Sequence, residues 1–499
     1  MKLGFMEETI ADIHTAILSG EICCRDLVEF YIKRIDAYDK KGPGLNSVIM
    51  INPKALEEAD KLDADFNKTG KLSGPLHGIP VLLKDNFDTC DMPTTAGSLS
   101  LAGSVPKADA FVTARLRKAG AIILAKTNLH EFAVWGETIS SILGQTLNPY
   151  DLTRTPGGSS GGTGAGIAAN FGIVGLGTDT INSIRSPASA NSLAGIRPTI
   201  GLVSRNGIVP YSFTQDTAGP ICRTVEDAAE TLYAIAGYDC TDAQTAWGVG
   251  KVPCMGYAGY IKDNSMTGKP LGEHNCVGIL ESFFGKDEKH VEVNRLTRNA
   301  IKVLTETGMR TISVAENIDS DWLVSNVSVH LDELKDHLNS YLRELPQDAQ
   351  VHSLEEVMAS GKYSPGIKAN MDKAMALSLG TADYNKKLIL RAEMQTKVMK
   401  LMADYKVDAI VYPHQQQLVC KVGESQQQRN GVLCSITGFP SIVVPAGFSL
   451  PTKDAPLGVP VGLEIIGRPW SETLLLEIAY RFEQSSRFRK VPLSTPELA

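Results

Sequence analysis

P-G-G-S-S-G-G-T-G-A-G-I-A-A-N-F-G-I-V-G-L-G-T-D-T-I-N-S-I-R-S-P, residues 156–187, is dense in Gly, Ser and Thr and almost free of long side chains. Such a run is either a flexible linker or tightly packed backbone around a site. A linker is polar throughout, whereas the middle of this segment is apolar: Ile167, Ala168, Ala169, Phe171, Ile173, Val174 and Leu176. The pattern predicts a buried helix followed by a short buried strand, with glycines where backbones approach closely. Ser159 and Ser160 sit between two Gly-Gly pairs, and Ser183 lies just past Gly177-Thr178-Asp179-Thr180. A lone buried serine reads as a cap or turn residue. Serines at both ends of one glycine-rich unit read equally well as a reactive site with room for a substrate.

Outward from this unit, strands and helices alternate. Upstream, apolar spacing predicts two helices within 7–37, a strand at 46–52, a helix at 53–65 and a strand at 79–83. A helix at 108–119 and a strand at 121–125 follow. This β-α-β alternation implies parallel pairing with helices on the sheet faces. Downstream, strand and turn are expected at 196–207. A helix at 224–236 has Thr224 as its cap and Asp227 three residues on. Strands are expected at 277–280, 310–314, 409–412, 441–444 and 461–466, with helices at 290–307 and 474–488. Residues 320–405 read as mostly helical. No internal repeat is present.

The chain has 499 residues, 43% hydrophobic and 21% charged, the composition of a globular protein with a large core. A net charge of −7 leaves no basic footprint for nucleic acid. No run of about 18 apolar residues marks a membrane span, and no secretory or peroxisomal signal is visible. Nine cysteines without a C-x-x-C pair fit reduced thiols in a cytoplasmic protein. Histidines lack metal spacing, so no metal and no cofactor are expected. His77 and His414 read as structural.

Two generic motifs fail on context. Gly157-x-Ser159-x-Gly161 matches the nucleophile elbow, but that motif follows a buried strand, and 148–156 carries two prolines among polar residues. The glycine pairs near 164–177 do not complete a dinucleotide fingerprint. Lys84 closes an apolar strand. It reads as a surface lysine, as a buried one partnered by Asp85, or as a desolvated base with a lowered pKa.

Several long motifs nevertheless occur together and in order. They are G-I-P-V-L-L-K-D-N at 78–86, N-P-Y-D-L-T-R-T-P-G-G-S-S-G-G at 148–162, G-L-G-T-D-T-I-N-S-I-R-S-P-A at 175–188 and G-I-R-P-T-I-G-L-V-S-R at 195–205. G-F-P-S-I-V-V-P-A-G and G-V-P-V-G-L-E-I-I-G follow near the C-terminus. In these the chain resembles the amidase signature family, with peptide amidases nearest in pattern. The resemblance implies an α/β fold: one large domain over 1–499, with a central mixed, twisted β-sheet covered by helices on both faces. Residues 75–205 form its signature core; the stretch 250–405 lies outside the resemblance and reads, from its own pattern, as a helix-rich insertion or cap.

The resemblance also implies a Ser-cisSer-Lys triad. Ser183 is then the nucleophile, Ser159 the bridging serine at a cis peptide, and Lys84 the base acting through Ser159. The backbone N–H groups of Thr180, Ile181, Asn182 and Ser183 form the oxyanion hole. This chain carries Ile181-Asn182 where the family has Gly-Gly; neither is proline, so the donors survive. Asp179 and Arg185 support the loop. Val134, Trp135 and Gln415 are placed at the substrate by position.

The leading expectation is therefore a metal-independent hydrolase that cleaves a carboxamide C–N bond through an acyl-enzyme. Carbamate or ester hydrolysis with the same triad is one alternative. An A-type component of a glutamine-dependent tRNA amidotransferase is a second, and a silent scaffold, which predicts broken triad positions, is a third. The expected partner is a small amide or carbamate, and a homodimer agrees with family habit.

Overall fold

The structure, a computed structural model, describes residues 4–267 and 271–498; expectations touching 1–3, 268–270 and 499 fall outside it. Thirteen strands are found among the described residues: β1 Val48–Ile51, β2 Pro80–Lys84, β3 Ile122–Thr127, β4 Ile139–Ser140, β5 Gly144–Gln145, β6 Val174–Asp179, β7 Ala194–Arg197, β8 Thr217–Cys222, β9 Cys276–Leu280, β10 Arg310–Val314, β11 Ala409–Pro413, β12 Ser441–Phe448 and β13 Pro460–Gly467. β4 and β5 form a separate ribbon. The other strands make one sheet in the order β1-β3-β2-β6-β8-β7-β12-β13-β11-β9-β10.

The sheet is mixed, as the resemblance implied. β2 runs parallel to β3 and β6, and β9 runs parallel to β10 and β11. The strands between, from β6 through β8, β7, β12 and β13 to β11, pair antiparallel. β2, β3 and β6 are buried at every position. Burial on both faces is why their sequences read as continuous apolar runs rather than alternating ones.

The glycine-rich unit folds as its composition predicts. Helix Gly161–Ala168 lies flat on β2 and β6. Close approach requires a residue without a side chain: a Cβ on Gly175 would stand 2.4 Å from the Thr163 methyl carbon. At 225–235 the Thr224 hydroxyl caps the helix by accepting from the Asp227 N–H at 3.1 Å. The Asp227 carboxylate does not reach back to close a capping box. It accepts instead from the Ile10 N–H at 3.0 Å, tying the N-terminal helix to the sheet.

The segment expected as an insertion or cap, 250–405, divides. β9 and β10, joined by helix Val291–Glu306, extend the central sheet at its edge. β9 is buried at every position, whereas β10 is an edge strand that reaches the core only through Val314; both belong to the sheet by their pairing. From residue 320 onward the chain is helical. Leu334, Leu338, Leu354, Ile367 and Met371 there pack on Phe132, Val134, Val209 and Tyr211, closing a third apolar cluster over the loops at the ends of β3 and β8.

Candidate active site

Lys84 ends β2 and is fully buried. Its Nζ lies 2.8 Å from Ser159 Oγ and donates to Thr178 Oγ1 at 2.7 Å. Removal of water around the amine lowers its pKa to about 7, against the opposing pull of Asp179 and Asp216. Asp85, the carboxylate next to it in sequence, faces the other way, because successive residues of a strand alternate faces. Asp85 pairs with Lys126 Nζ at 3.1 Å and accepts from Thr95 N at 3.1 Å. Among the described residues the amine thus keeps no carboxylate in contact, and burial dominates.

Thr178, on the neighbouring strand β6, carries no sequence signal of its own. Its Oγ1 accepts from both Lys84 Nζ and Asn86 Nδ2, the latter at 3.0 Å, and so fixes the amine. Thr178→Val keeps the shape and removes this acceptor. We expect kcat/KM toward any amide substrate to fall about tenfold, the worth of one lost buried hydrogen bond, with the melting temperature little changed. Steady-state kinetics beside a thermal melt check this.

The Gly158–Ser159 peptide bond is cis, and Ser159 is buried. The Ser159 carbonyl accepts from the His130 N–H at 3.0 Å. Gly158 admits no side chain, since a Cβ there would stand 2.8 Å from the carbonyl carbon of Gly136. The Ser160 N–H donates to the Ser183 carbonyl at 3.2 Å, and its hydroxyl to the Thr178 carbonyl at 3.3 Å. Ser160 therefore ties the two ends of the glycine-rich unit together. Ser183 itself retains 5% of its surface, whereas Lys84 and Ser159 retain none. Of the three residues, Ser183 is therefore the most accessible.

Next comes a run of peptide units whose carbonyls are all engaged. The Asp179 carbonyl accepts from Arg197 Nη1, and the Thr180 carbonyl from Gln215 Nε2 at 3.2 Å. The Ile181 carbonyl accepts from Arg185 Nη2 at 2.7 Å and from the Ser435 hydroxyl. The Asn182 carbonyl accepts from the Ser186 N–H at 2.7 Å. In a trans peptide the N–H points opposite to its carbonyl, so the N–H groups of Thr180, Ile181, Asn182 and Ser183 are directed away from these partners. Among the described residues none of the four finds an acceptor. A row of free N–H groups beside a serine is a ready anion cradle.

A buried charge network holds that row. Arg185 donates to Asp179 through Nε and Nη2, at 3.0 and 2.9 Å, and pairs with Glu464. Arg197 pairs with Asp179 at 2.8 Å. Burial alone would raise both carboxyls. The arginines outweigh it for Asp179, held well below the ordinary range, and Arg185 with His414 holds Glu464 at about 2. His414 Nδ1 sits 2.7 Å from Glu464 and serves this network. His77 lies in a separate cluster with Ser73 and Cys24.

The residues placed at the substrate from position divide. Val134 is buried in the apolar cluster under the helical segment. Trp135 is half-buried, with its Nε1 donating to Ser425 Oγ at 2.9 Å and the guanidinium of Arg429 over its ring at 4.6 Å. Gln415 is buried, and among the described residues its Oε1 has no hydrogen-bond partner. Buried polar atoms without partners recur around the site: Asn86 Oδ1, His130 Nε2, Asn182 Nδ2 and Tyr211 Oη. Buried polar groups are ordinarily satisfied, so each of these atoms is available to a further hydrogen-bond partner. His130, Tyr211 and Arg429 escape sequence reading because each is a single residue in a loop without a motif. Elsewhere, Cys90, Asp91 and Asp109 bring ligand atoms within 4.8 Å of one another, but both carboxylates are already paired with Arg117.

A mixed sheet crowned by a buried lysine, a cis-peptide serine and a second serine under a row of free N–H groups defines the class. Residues 26–476 match the Amidase family, and the chain belongs to it. It is 35% identical to a probable amidase of Arabidopsis thaliana over 98% of this chain and 92% of that protein. It is 34% identical to a glutamyl-tRNA(Gln) amidotransferase subunit of a Synechococcus strain, over 98% and 94%. Among solved structures, the native peptide amidase of Stenotrophomonas maltophilia superposes with a TM-score of 0.86 at 34% identity, covering 98% of this chain and 99% of that one. Amide hydrolysis is the general activity that this kinship supports.

Proposed function

We propose that this chain is a serine amidase acting on a linear carboxamide, with Lys84, Ser159 and Ser183 as its catalytic residues. The carrying observation is the fully buried lysine amine 2.8 Å from the Ser159 hydroxyl, with the Ser183 backbone bound to the next residue, Ser160. An amine with a pKa near 7 is largely uncharged above neutrality and can accept a proton. Ser159 passes its proton to Lys84 Nζ while taking the proton of Ser183. The Ser183 oxygen then bonds to the amide carbon. The oxyanion so formed is met by the N–H groups of Thr180, Ile181, Asn182 and Ser183. Collapse breaks the C–N bond, and the departing amine takes the proton back along the same path. Water then repeats the sequence on the acyl-enzyme and frees the acid.

Isolated protein should release ammonia from primary amides and react with a fluorophosphonate at Ser183. Ser183→Ala should lose both, with turnover reduced at least about 10⁴-fold. Full labelling and turnover in Ser183→Ala sink the assignment. Carbamates and esters tested beside amides decide the preferred acyl chemistry. Nine unbridged cysteines fit a reducing, cytoplasmic setting.

A second reading rests on the 34% identity to an amidotransferase component over nearly the whole chain. On that reading the chain works docked to partners, and ammonia release from glutamine depends on adding them. Turnover by the lone chain, as a monomer or homodimer, favours the first reading.

A further inference from the structure

Among the described residues, Arg429 carries a charge that the fold contacts only through an aromatic ring. Its guanidinium stands over the Trp135 ring at 4.6 Å. Among the described residues it has neither a hydrogen bond nor an ion pair. The carboxylate acting on it most strongly, that of Glu137, accepts from Ser425 Oγ at 3.2 Å and Gln426 N at 2.8 Å through Oε1 and turns Oε2 toward His130 Nδ1 at 3.6 Å, without forming an ion pair with Arg429. Arg429 is only partly exposed. Leaving a half-buried cation unpaired is unfavourable unless a ligand completes it. Stacking on an aromatic ring uses the flat face of the guanidinium and leaves its N–H edge free to take a carboxylate in two parallel bonds.

Position joins this cation to the reacting groups. Arg429 Nη1 would stand 3.2 Å from a Cβ on Gly136, and Gly136 is the residue packed against Gly158, immediately before Ser159. The charge of Arg429 acts on His130, whose N–H holds the Ser159 carbonyl, and on the phenol of Tyr211. The Tyr211 hydroxyl is buried without a partner. Gln415 pairs with Arg429 across an isolated antiparallel bridge. Residues so paired present their side chains on the same face, and Gln415 Oε1 is also unpartnered. Cation, phenol and amide are thus neighbours, and Gly136 joins the cation to the Gly158–Ser159 segment; among the described residues the phenol and amide oxygens lack hydrogen-bond partners.

We propose that Arg429, braced by Trp135 and flanked by Tyr211 and Gln415, is a carboxylate subsite of the active site. The inference rests on the amide-hydrolase reading above and deepens it by naming the substrate class. A primary amide loses only ammonia, so the anionic group belongs to the acyl part. The preferred substrates are then primary amides whose acyl chain ends in a carboxylate, such as the monoamides of short dicarboxylic acids.

The test compares succinamate and glutaramate with the neutral butyramide and valeramide, in the full chain and in Arg429→Gln, Arg429→Lys and, as a remote control, Arg298→Gln. The unaltered protein should favour the anionic amides by about 10- to 100-fold in kcat/KM, the range of a charge-assisted bond. Arg429→Gln should bring that ratio close to one, mainly through KM. Arg429→Lys should recover part of it, and Arg298→Gln should leave it unchanged. Calorimetric titration with glutarate supplies a readout independent of turnover: binding to the unaltered protein and its loss in Arg429→Gln. Equal use of neutral and anionic amides, or a ratio indifferent to Arg429, overturns the subsite. So does absence of glutarate binding. If no amide is cleaved yet glutarate binds through Arg429, the subsite stands and the hydrolase reading falls.

Discussion

Lys84→Met is expected to abolish amide turnover and, at the same time, to make the protein more stable. Removing the base removes both steps of the relay, so kcat should fall by at least about 10⁴-fold. Stability should move the other way. The folded state lowers the amine from its ordinary value of 10.5 to about 7, because burial disfavours the charged form. Between those values the unfolded chain holds a proton that the folded one does not, so stability rises as pH rises through this window. At and below pH 7 the penalty is complete. Methionine escapes it and fills similar volume, while forfeiting the bonds to Ser159 and Thr178. The net gain should be about 2 kcal/mol near pH 7, read as a melting temperature raised by about 3 °C and shrinking toward pH 10. In the unaltered enzyme kcat/KM should climb with pH and level off above about 7. A destabilised Lys84→Met protein, or activity independent of pH between 5 and 8, refutes the buried neutral amine.

The same burial decides what is legible in the sequence. β2, β3 and β6 are readable because strands covered on both faces are unbroken apolar runs. β8, Thr-Ala-Gly-Pro-Ile-Cys, is not, because Gly219 and Pro220 punctuate it like a turn. It nevertheless lies in the middle of the sheet, and β7 pairs with it only through Ile221 and Cys222. Helix Val432–Thr437 also escapes. It is buried all round, so no amphipathic period betrays it, and Gly438 ends it in the left-handed region at φ 74°. Within the site, local pattern singles out the serines and the strand-end lysine. Their chemical roles come only with the family resemblance. Adjacency in sequence offers Asp85 to Lys84, and face alternation along the strand takes it away. Arg185 and Glu464 meet across 279 positions and Arg429 meets Trp135 across more still, separations that no local window contains.

The largest structural effect should come from Arg185→Met. Arg185 is completely buried and joins Asp179 on β6 to Glu464 on β13, so it links strands well separated in the sheet. Its loss leaves Asp179 with Arg197 and the Ile184 N–H, and Glu464 with His414, Tyr412 and Cys434. Removing one partner of a buried ionic cluster destabilises by about 3–5 kcal/mol, because the remaining charge stays uncompensated. The deficit has a pH signature. Glu464 titrates at about 2 in the fold against an ordinary 4.5, so its stabilising share is complete above 4.5 and lost as pH falls through 2. In the variant that share is absent. Denaturant unfolding should therefore show the full deficit at pH 7 and a smaller one at pH 3. Arg185 also pins the Ile181 carbonyl, and with it the direction of the Asn182 N–H. Once that is freed, kcat should fall about 10²-fold in whatever folded protein remains, with KM changing less. Arg185→Lys separates the two roles: it keeps a charge for Glu464 but lacks the fork that reaches Asp179 and Ile181 together. It should regain stability while kcat stays low. If Arg185→Lys instead restores kcat in full, the N–H row does not depend on this clamp, and its direction is set by Ser435 and the turn alone.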